Sequence, residues 1–306
     1  MMHRPDRRAP RGYALLVTVA VLVLASALMV LAARQMVSRV DQAALEQSSR
    51  QREWGSISAR QAILPFAEQL LVGREQATSQ ATPIAHFMVI LGGQRFNIDV
   101  SDEQAKGNVN SLIERRGLSG AIDRLVEALT GTGNLKRLRL RPAELPDASE
   151  SPPGQKLGPP PWITGPGQIF ESADPHFFFH GPLTTLTCWG DGAVNVMRAG
   201  APALRLATSP NLSRLQVARL LEARDAAMRT SIEHQNQTAN ANGDAIDQLM
   251  NEAQIDPKVR GQIEITTHST CHAVWMDVDD GRRHSYSLAV IDNSNTAQPK
   301  RFYFQW

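Results

Sequence analysis

The chain has 306 residues, 42% of them apolar and 6% aromatic, and carries 32 Lys and Arg against 30 Asp and Glu, a net charge of +2. This length can bury a sizeable core in one large or two smaller domains. The near-balanced charge argues against a nucleic-acid partner. Two cysteines, Cys188 and Cys271, exclude a disulfide-rich scaffold and a four-cysteine zinc site.

The first predicted element is the uncharged apolar run from Tyr13 to Ala33. About twenty-one residues rising ~1.5 Å each span ~31 Å, the hydrocarbon thickness of a bilayer. The run therefore predicts a transmembrane helix. One alternative is a buried core helix, although such helices seldom run this long without a charge. The other is a cleaved secretory signal ending near Ala25-Ser26-Ala27, but the apolar run continues past those residues.

Residues 1–12 form a short basic leader. It carries four arginines against one acid and ends in Gly12, directly before the apolar run. Because cationic flanks stay cytoplasmic, we expect a single-pass protein whose long C-terminal part lies across the membrane.

Beyond the apolar run the pattern stays helical and becomes amphipathic, from Arg34 to about Leu64. We expect one long helix over residues 13–72, kinked or ended by Pro65. A coiled coil is the alternative, but no heptad pattern persists for three or four repeats.

A β-hairpin is predicted next. Two β-rich runs, Phe87 to Leu91 and Arg95 to Val100, flank the pair Gly92-Gly93. A glycine pair between such runs favours a tight hairpin turn.

A polar stretch follows the second strand, and its candidate site residues are Asp102, Glu103, Lys106, Asn108 and Asn110. The adjacent carboxylates invite the hypothesis of acid/base catalysis. No histidine, serine or metal-ligand cluster accompanies them nearby, so no enzymatic activity is expected. We interpret the stretch as a polar strand-to-helix junction whose asparagines bind turn backbone.

Two helical units are predicted after this junction. The first covers Leu112 to Leu129 and is broken at Gly117. The second begins with Asp191 to Val196, which includes Asn195, and leads into a helix from Ser213 to Arg224. Helical hairpins bind DNA backbones in other proteins, but neither unit has a local basic excess, so a structural insertion is favoured.

Residues 141–182 contain ten of the eighteen prolines and predict an extended or partly disordered loop. Trp162, Phe170 and the triplet Phe177 to Phe179 could anchor its later half or form a partner surface. His176 and His180 flank the triplet, and a zinc site there lacks a third ligand.

The last part of the chain predicts strands. A polar tract from Gln235 to Asn242 is expected to be a loop. An antiparallel meander then follows, with strands over Gln262 to Ser269, Cys271 to Val278, Ser285 to Ile291 and Phe302 to Trp306.

Three acids, Asp277, Asp279 and Asp280, lie at a predicted strand end. They are calcium candidates, although they lack the spacing of a calcium loop and a solvated turn is the simpler interpretation. No other cofactor is expected.

The leader ends in Gly12 and is followed by an apolar helix that continues into a polar one. This arrangement resembles the type IV prepilin signal of pilins and pseudopilins, which is cut after the glycine. Asp102 to Asn110 resembles the D-E-x-G-K-h-N-h-N motif (h, apolar) of the K-type minor pseudopilins of the type II secretion system. Ala105 and Gly107 depart from that motif. Val194-Asn195 resembles the start of the family's second helical unit.

The resemblance implies how the N-terminus is processed. A membrane aspartyl peptidase would cut between Gly12 and Tyr13 and methylate the new N-terminus, and removal of the leader leaves a net charge of −1. Most pilins have glutamate at the fifth mature position, where it pairs with a neighbouring N-terminal amine. Val17 occupies that position here, as expected of the K-type class. A subunit without the glutamate is suited to be the first subunit of an assembling pseudopilus.

The implied fold is α+β: a pilin-like long N-terminal helix and an antiparallel sheet, residues 73–102 and 262–306, interrupted by a helical domain over residues 103–261. The implied function is to initiate or cap the pseudopilus that exports folded proteins across the outer membrane. Expected partners are I-type and J-type minor pseudopilins, other pseudopilins, prepilin peptidase and the bacterial inner membrane.

Two further alternatives stay open at this point. A type IV pilus minor pilin differs mainly in its machinery, and a membrane-anchored helical-hairpin DNA-binding protein belongs to another class. In a periplasmic head Cys188 and Cys271 could form a disulfide, or could remain two separate buried thiols.

Overall fold

The structure is a computed structural model that describes residues 11–130, 135–142, 162–171, 175–179, 181–233, 242–279, 284–294 and 299–306. The chain divides into two compact units, Met1–Trp54 and Gly55–Trp306. The predicted leader up to residue 10, the tract 235–241 and most of the proline-rich segment lie outside the described residues.

The long predicted helix is present. Helix α1 runs over Arg11–Ile63, and a single 3-10 turn, Leu64–Phe66, follows it at Pro65. Proline lacks the backbone N–H that an α-helix needs and so ends the regular hydrogen bonding there, as predicted. Helix α2, Ala67–Thr78, then continues the helical path past residue 72, so residues 73–78 are helical and not part of the sheet.

Strands β1, Ile84–Leu91, and β2, Gln94–Asp102, form the predicted hairpin. Gly92 and Gly93 both have positive φ, 60° and 79°. Two successive residues in the left-handed backbone conformation match the twist of a two-residue hairpin turn, and glycine adopts this conformation without steric cost.

The chain between the hairpin and the closing strands contains short strands and helices. In order these are β3 (Gly107–Asn108), α3 (Val109–Leu129), α4 (Pro175–Phe179), β4 (Leu186–Thr187), β5 (Val194–Asn195), α5 (Ala201–Thr208), α6 (Arg214–Glu233), α7 (Asn242–Glu252), α8 (Pro257–Arg260) and β6 (Ile265–Thr266). Helix α3 is interrupted at Gly117, as predicted, where φ is 69° and ψ is 171°.

Three strands end the chain: β7, Cys271–Asp279, β8, His284–Asp292, and β9, Lys300–Gln305. They join the hairpin in one antiparallel sheet of order β1-β2-β7-β8-β9. The fold is therefore α+β, with a long apolar N-terminal helix and a five-stranded antiparallel sheet.

One predicted strand is placed differently. Residues 262–270 do not extend the sheet, because β6 contributes only Ile265 and Thr266 and pairs in parallel with β5. The helical insertion thus reaches to residue 270, and the closing meander begins at Cys271. Parallel pairing joins segments far apart in sequence, so the local alternation of residues 262–269 gave no sign of it.

Strand β7 is buried on both faces, since alternate side chains point to opposite sides of the sheet. Val274, Met276 and Val278 pack with α2 residues such as Leu71 in one core cluster. Trp275 and its neighbours on the other face pack with α3 and the described part of the proline-rich segment. A third cluster lies within α5, α6 and α7.

Aromatic anchors hold the later half of the proline-rich segment, as one of the two interpretations expected. Ile163, Phe170 and Phe178 are buried in the core cluster beside β7, and Trp162 and Phe177 pack against it. Phe177 lies edge-on to both Phe170 and Phe178.

Candidate functional site

The apolar half of α1 is the first candidate. Within the part of the chain that the structure describes, one helix is long and apolar enough to cross a membrane, with a mean hydropathy of 2.9 over its most apolar stretch and none of that stretch buried. Tyr13 is 70% exposed and Val17 is 41% exposed. Burying such side chains in lipid or against other helices is favourable by about 25 cal/mol per Å², so this surface needs an apolar environment.

The two aliphatic hydroxyl residues in the run, Thr18 and Ser26, are compatible with that environment. Thr18 Oγ1 donates to the Leu15 carbonyl at 2.8 Å, and Ser26 Oγ donates to the Leu22 carbonyl at 2.8 Å. Internal bonds of this kind satisfy polar groups where no water is available.

The second candidate is the polar stretch after β2, whose residues meet in a buried network that we call the polar junction: Glu68, Glu75, Ser101, Asp102, Glu103, Lys106, Asn108, Asn110, Thr187, Asn195, Arg198, Ser269 and His272. All of them lie in the unit Gly55–Trp306. The network includes every candidate residue that the sequence placed in the strand-to-helix motif.

Asp102 is fully buried at the end of β2. Its Oδ1 accepts the backbone N–H groups of Gln104 and Ala105 at 2.9 and 3.1 Å, which caps a 3-10 turn. Its Oδ2 accepts Asn195 Nδ2 at 2.9 Å, and Ser269 Oγ at 2.6 Å. Both oxygens are therefore occupied by donors from three separate parts of the chain.

Glu103 is also fully buried and pairs with Lys106. Its Oε1 accepts Lys106 Nζ at 2.6 Å and Ser101 Oγ at 2.6 Å, while its Oε2 accepts Thr187 Oγ1 at 2.6 Å. Lys106 Nζ also lies 6.0 Å from the centre of the Trp275 ring. Neither Glu103 nor Asp102 is placed to exchange a proton with a substrate, since both are buried and saturated with donors.

The two asparagines of the motif bind turn backbone, as predicted. Asn108 caps α3 by accepting Ser111 N–H at 3.1 Å, and its Nδ2 donates to the Trp189 carbonyl at 2.8 Å. Asn110 Nδ2 donates to the carbonyls of Ile163 and Cys188, both at 2.7 Å, and its Oδ1 accepts Ile163 N–H at 2.7 Å. They thus hold α3 against two distant loops.

Arg198 is the centre of the network, and no motif in the sequence predicts this role. Its guanidinium reaches Glu68 at 2.6 and 2.9 Å, Glu75 at 2.8 and 3.0 Å, and Asp102 at 3.3 Å. Burial opposes the charge, but hydrogen bonds to Glu75 and Glu68 outweigh it and raise the pKa of Arg198. The fork geometry of arginine suits such paired contacts with carboxylates.

Glu68 joins α2 to the sheet as well as to Arg198. His272 Nε2 lies 2.8 Å from Glu68 Oε2. Partial burial opposes ionisation of Glu68, but the hydrogen bonds from His272 and Arg198 outweigh it and lower its pKa to about 2. The carboxylate is therefore ionised wherever the protein functions near neutral pH.

The polar junction connects α2, the end of β2, the start of β7 and both helical units. Asn195 spans two of these connections, because its Nδ2 also donates to Ser269 at 2.8 Å and its Oδ1 accepts Met197 N–H at 3.0 Å. The only sequence signal for Arg198 is a basic residue soon after Asn195, which is too common to identify a partner.

Cys188 and Cys271 are both buried free thiols, and they belong to the same core cluster. Burial raises the pKa of each thiol, with the charge of Glu103 adding to the effect. The structure thus has the two cysteines as separate thiols, which is the second of the two alternatives that the sequence left open.

The calcium candidates are only partly within the described residues, so calcium binding stays a prediction. Asp277 is engaged with His284 Nδ1 at 3.0 Å and Asn97 Nδ2 at 3.4 Å, Asp279 ends β7, and Asp280 lies outside the described range. His176 is described and His180 is not. No group of three or more His, Cys, Asp or Glu that could hold a metal occurs among the described residues.

Comparisons with known proteins include a likeness to a solved structure. No protein-family model matches the chain, and no curated protein matches it. A chain in the crystal structure of the GspK-GspI-GspJ complex from the enterotoxigenic Escherichia coli type 2 secretion system is similar at 11% identity and a TM-score of 0.44, covering 87% of this chain and 99% of that one. The chain is therefore similar to a component of a pseudopilin complex, and at this TM-score the similarity establishes neither its fold nor its function.

Proposed function

We propose that the chain is a K-type minor pseudopilin that initiates or caps a type II secretion pseudopilus. The observation that carries the proposal is the uncharged, exposed apolar run of α1, which starts directly after Gly12 and a basic leader. The motif from Asp102 to Asn110 supports the K-type class, since its residues are used as a buried structural junction. The role is structural and not enzymatic.

The proposed mechanism is assembly through the N-terminal helix. Helices without a charge in the membrane associate by close packing of side chains. Val17 presents an apolar side chain at the position where most pilins carry a glutamate, so this subunit leaves no buried acid in need of a partner amine. A subunit of this kind is suited to start a filament.

The polar junction supports the proposed position at the tip. It ties the large helical insertion to the sheet by ion pairs and hydrogen bonds from buried groups, so the head resists deformation. A bulky rigid insertion disfavours the addition of further subunits on top of it. I-type and J-type minor pseudopilins are the proposed neighbours, with the head in the periplasm.

Processing by prepilin peptidase is the first test. The full chain is purified from its native membrane and its N-terminus is determined by mass spectrometry. We expect a chain beginning at Tyr13 with one added methyl group, and we expect Gly12→Val to keep the leader. Gly73→Ala, in α2, serves as the control and is processed normally. A chain that begins at Met1, or beyond Ala27, contradicts the proposal.

Assembly is tested separately at Val17. In a strain with a working secretion machine, Val17→Glu introduces a carboxylate that the proposed first subunit cannot pair. We expect secretion of an exported enzyme to fall while the amount of the chain in the membrane is unchanged, and we expect the apolar control Val17→Leu to secrete normally. Full secretion by Val17→Glu contradicts a role as the first subunit.

A further inference from the structure

A basic cleft lies on the helical insertion, away from the polar junction. It has a volume of about 490 Å³ and is formed by the end of α3, by α5 and by the start of α6. Three arginines line it, Arg124, Arg205 and Arg214, one from each helix. We call it the arginine cleft.

The positive charge of the cleft exceeds its negative charge. Glu127 is the one carboxylate among the described residues that line it, and it lies 2.6 Å from Arg124 and 3.9 Å from Arg214. Arg205 is exposed, and the contact found for its guanidinium is from Nε to the Ala201 carbonyl of its own helix at 3.2 Å. The guanidinium charges of the lining therefore exceed its carboxylate charge by two.

Two more arginines, Arg115 and Arg116, add positive electrostatic potential near the cleft. Arg115 donates to the Ala207 carbonyl at 2.9 Å, and Arg116 donates to the carbonyl of Ser209, which itself lines the cleft. Carbonyls orient these side chains without cancelling their charge. Burial and the charges of Arg124 and Arg115 lower the pKa of Arg116, as expected where cations outnumber anions.

The uncharged lining is mainly aliphatic, with Thr130 and Ser209 as its polar residues. Leu206 and Leu212 are almost fully buried beneath the cleft and Pro202 lies at its edge. No aromatic residue occurs among the described lining residues. Single-stranded nucleic acid is usually held by aromatic stacking platforms beside the basic groups, whereas an arginine next to an aliphatic floor suits a carboxylate carried beside an aliphatic side chain.

We propose that the arginine cleft binds an extended acidic peptide, in which aspartate or glutamate alternates with leucine or a similar side chain. Arg205 and Arg214 would bind the carboxylates as bidentate donors, and Leu206 and Leu212 would receive the aliphatic side chain. The cleft volume accommodates a few residues of such a peptide. This inference is independent of the proposed pseudopilin role, because it uses no residue of the apolar helix or the polar junction.

The test uses the full chain in detergent micelles and a fluorescein-labelled peptide of alternating aspartate and leucine, with binding followed by fluorescence anisotropy. The reference peptide has asparagine in place of aspartate. The variant is Arg205→Glu/Arg214→Glu, and the matched control is Arg229→Glu. Arg229 is also exposed and lies on α6, ~22 Å along the helix from Arg214 at ~1.5 Å per residue.

We expect the aspartate peptide to bind at least tenfold more tightly than the asparagine peptide, and the double variant to lose at least that factor, since it places like charges opposite the carboxylates. Arg229→Glu should bind as the unchanged protein does. Equal binding of the two peptides, or equal loss in the variant and the control, overturns the proposal. Tighter binding of a labelled oligothymidine that displaces the peptide also overturns it, in favour of a nucleic-acid site.

Discussion

Arg198 is the residue on which the polar junction depends most. It is 5% exposed and is the shared cation of Glu68, Glu75 and Asp102. Removing one partner of a buried ion pair leaves uncompensated charge, which typically costs about 3–5 kcal/mol. We therefore expect Arg198→Met to lower the free energy of unfolding by that amount.

Urea unfolding of the full chain in detergent, followed by tryptophan fluorescence, measures this change. The control is Arg229→Met, which removes an exposed arginine and should stay within about 0.5 kcal/mol of the unchanged protein. If both variants have the same midpoint, the junction contributes little to stability.

Glu68 makes the junction sensitive to acid. Its pKa in the folded protein is lowered from 4.5 to about 2. A carboxyl group whose folded pKa is depressed contributes stability above its unfolded pKa and loses it as the pH falls through its folded pKa. Stability from Glu68 is thus complete above about pH 4.5 and is lost between pH 4.5 and about 2.

Urea midpoints measured between pH 7 and pH 2.5 test this dependence. We expect the midpoint to fall more steeply below pH 4.5 in the unchanged protein than in Glu68→Gln, which cannot ionise. Parallel curves for the two proteins would assign the acid sensitivity to other groups.

The buried thiols of Cys188 and Cys271 predict a pattern of chemical modification. Because burial raises the pKa of both thiols, neither forms the reactive thiolate readily. We expect iodoacetamide to leave the folded protein unmodified and to add two groups in urea without a reductant. Two groups added only after reduction would show instead that the cysteines pair in the native compartment.

At the scale of elements, the break in α3 depends on Gly117. Its φ of 69° and ψ of 171° lie in a region that only glycine adopts readily. No neighbouring atom lies within 4 Å of a Cβ added there, so the effect of a substitution is one of backbone strain alone. We expect Gly117→Ala to destabilise the protein by about 1–3 kcal/mol.

Gly73 provides a control at which substitution by alanine should change stability in the opposite direction. It lies inside α2 without a positive φ, and a Cβ added there would meet open space, so Gly73→Ala should stabilise the helix by about 0.5–1 kcal/mol. Thermal unfolding of the two variants under the same conditions measures both changes. A neutral or stabilising Gly117→Ala would mean that α3 tolerates a straight path.

The elements that the sequence predicted best have local causes. Pro65 removes a backbone donor, Gly92-Gly93 permits the hairpin turn, and Gly117 interrupts α3. Each effect acts within a few residues, so it can be deduced from neighbouring positions. Asn108 was likewise predicted to bind turn backbone, and its contact with Ser111 N–H spans only three residues.

The parts that were missed depend on contacts between distant segments. Arg198 meets Glu68 across 130 residues, and His272 meets the same carboxylate across 204. Ile265 and Thr266 pair with β5 instead of extending the sheet. No local pattern specifies which charge meets which, because many surface residues carry the same charges.

At the scale of the whole molecule, the apolar run is the proposed membrane anchor. A charged residue at the centre of a transmembrane helix costs about 2.5–3.5 kcal/mol, so two should reduce insertion strongly. We expect Val21→Asp/Leu24→Asp to leave the membrane fraction. The control, Ala43→Asp/Ala44→Asp, lies beyond the run and should remain in it.

Carbonate extraction of membranes and immunoblotting of both fractions measure this distribution. If the variant with two central aspartates stays in the pellet as fully as the control does, the anchor is elsewhere in the chain.

The sheet register has a consequence for biosynthesis. Asn97 on β2 meets Asp277 on β7, 180 residues later in the chain. When the β1–β2 hairpin leaves the ribosome, the strand that completes its pairing has not yet been synthesised, and the outer edge of β2 is open to other chains. Closing so long a connection is slow unless its ends are first brought together. The hydrogen bond from Ser269 to Asp102 joins the two ends of the helical insertion, so an insertion that folds before the sheet brings β2 and β7 together and shortens the time for which the open edge is exposed.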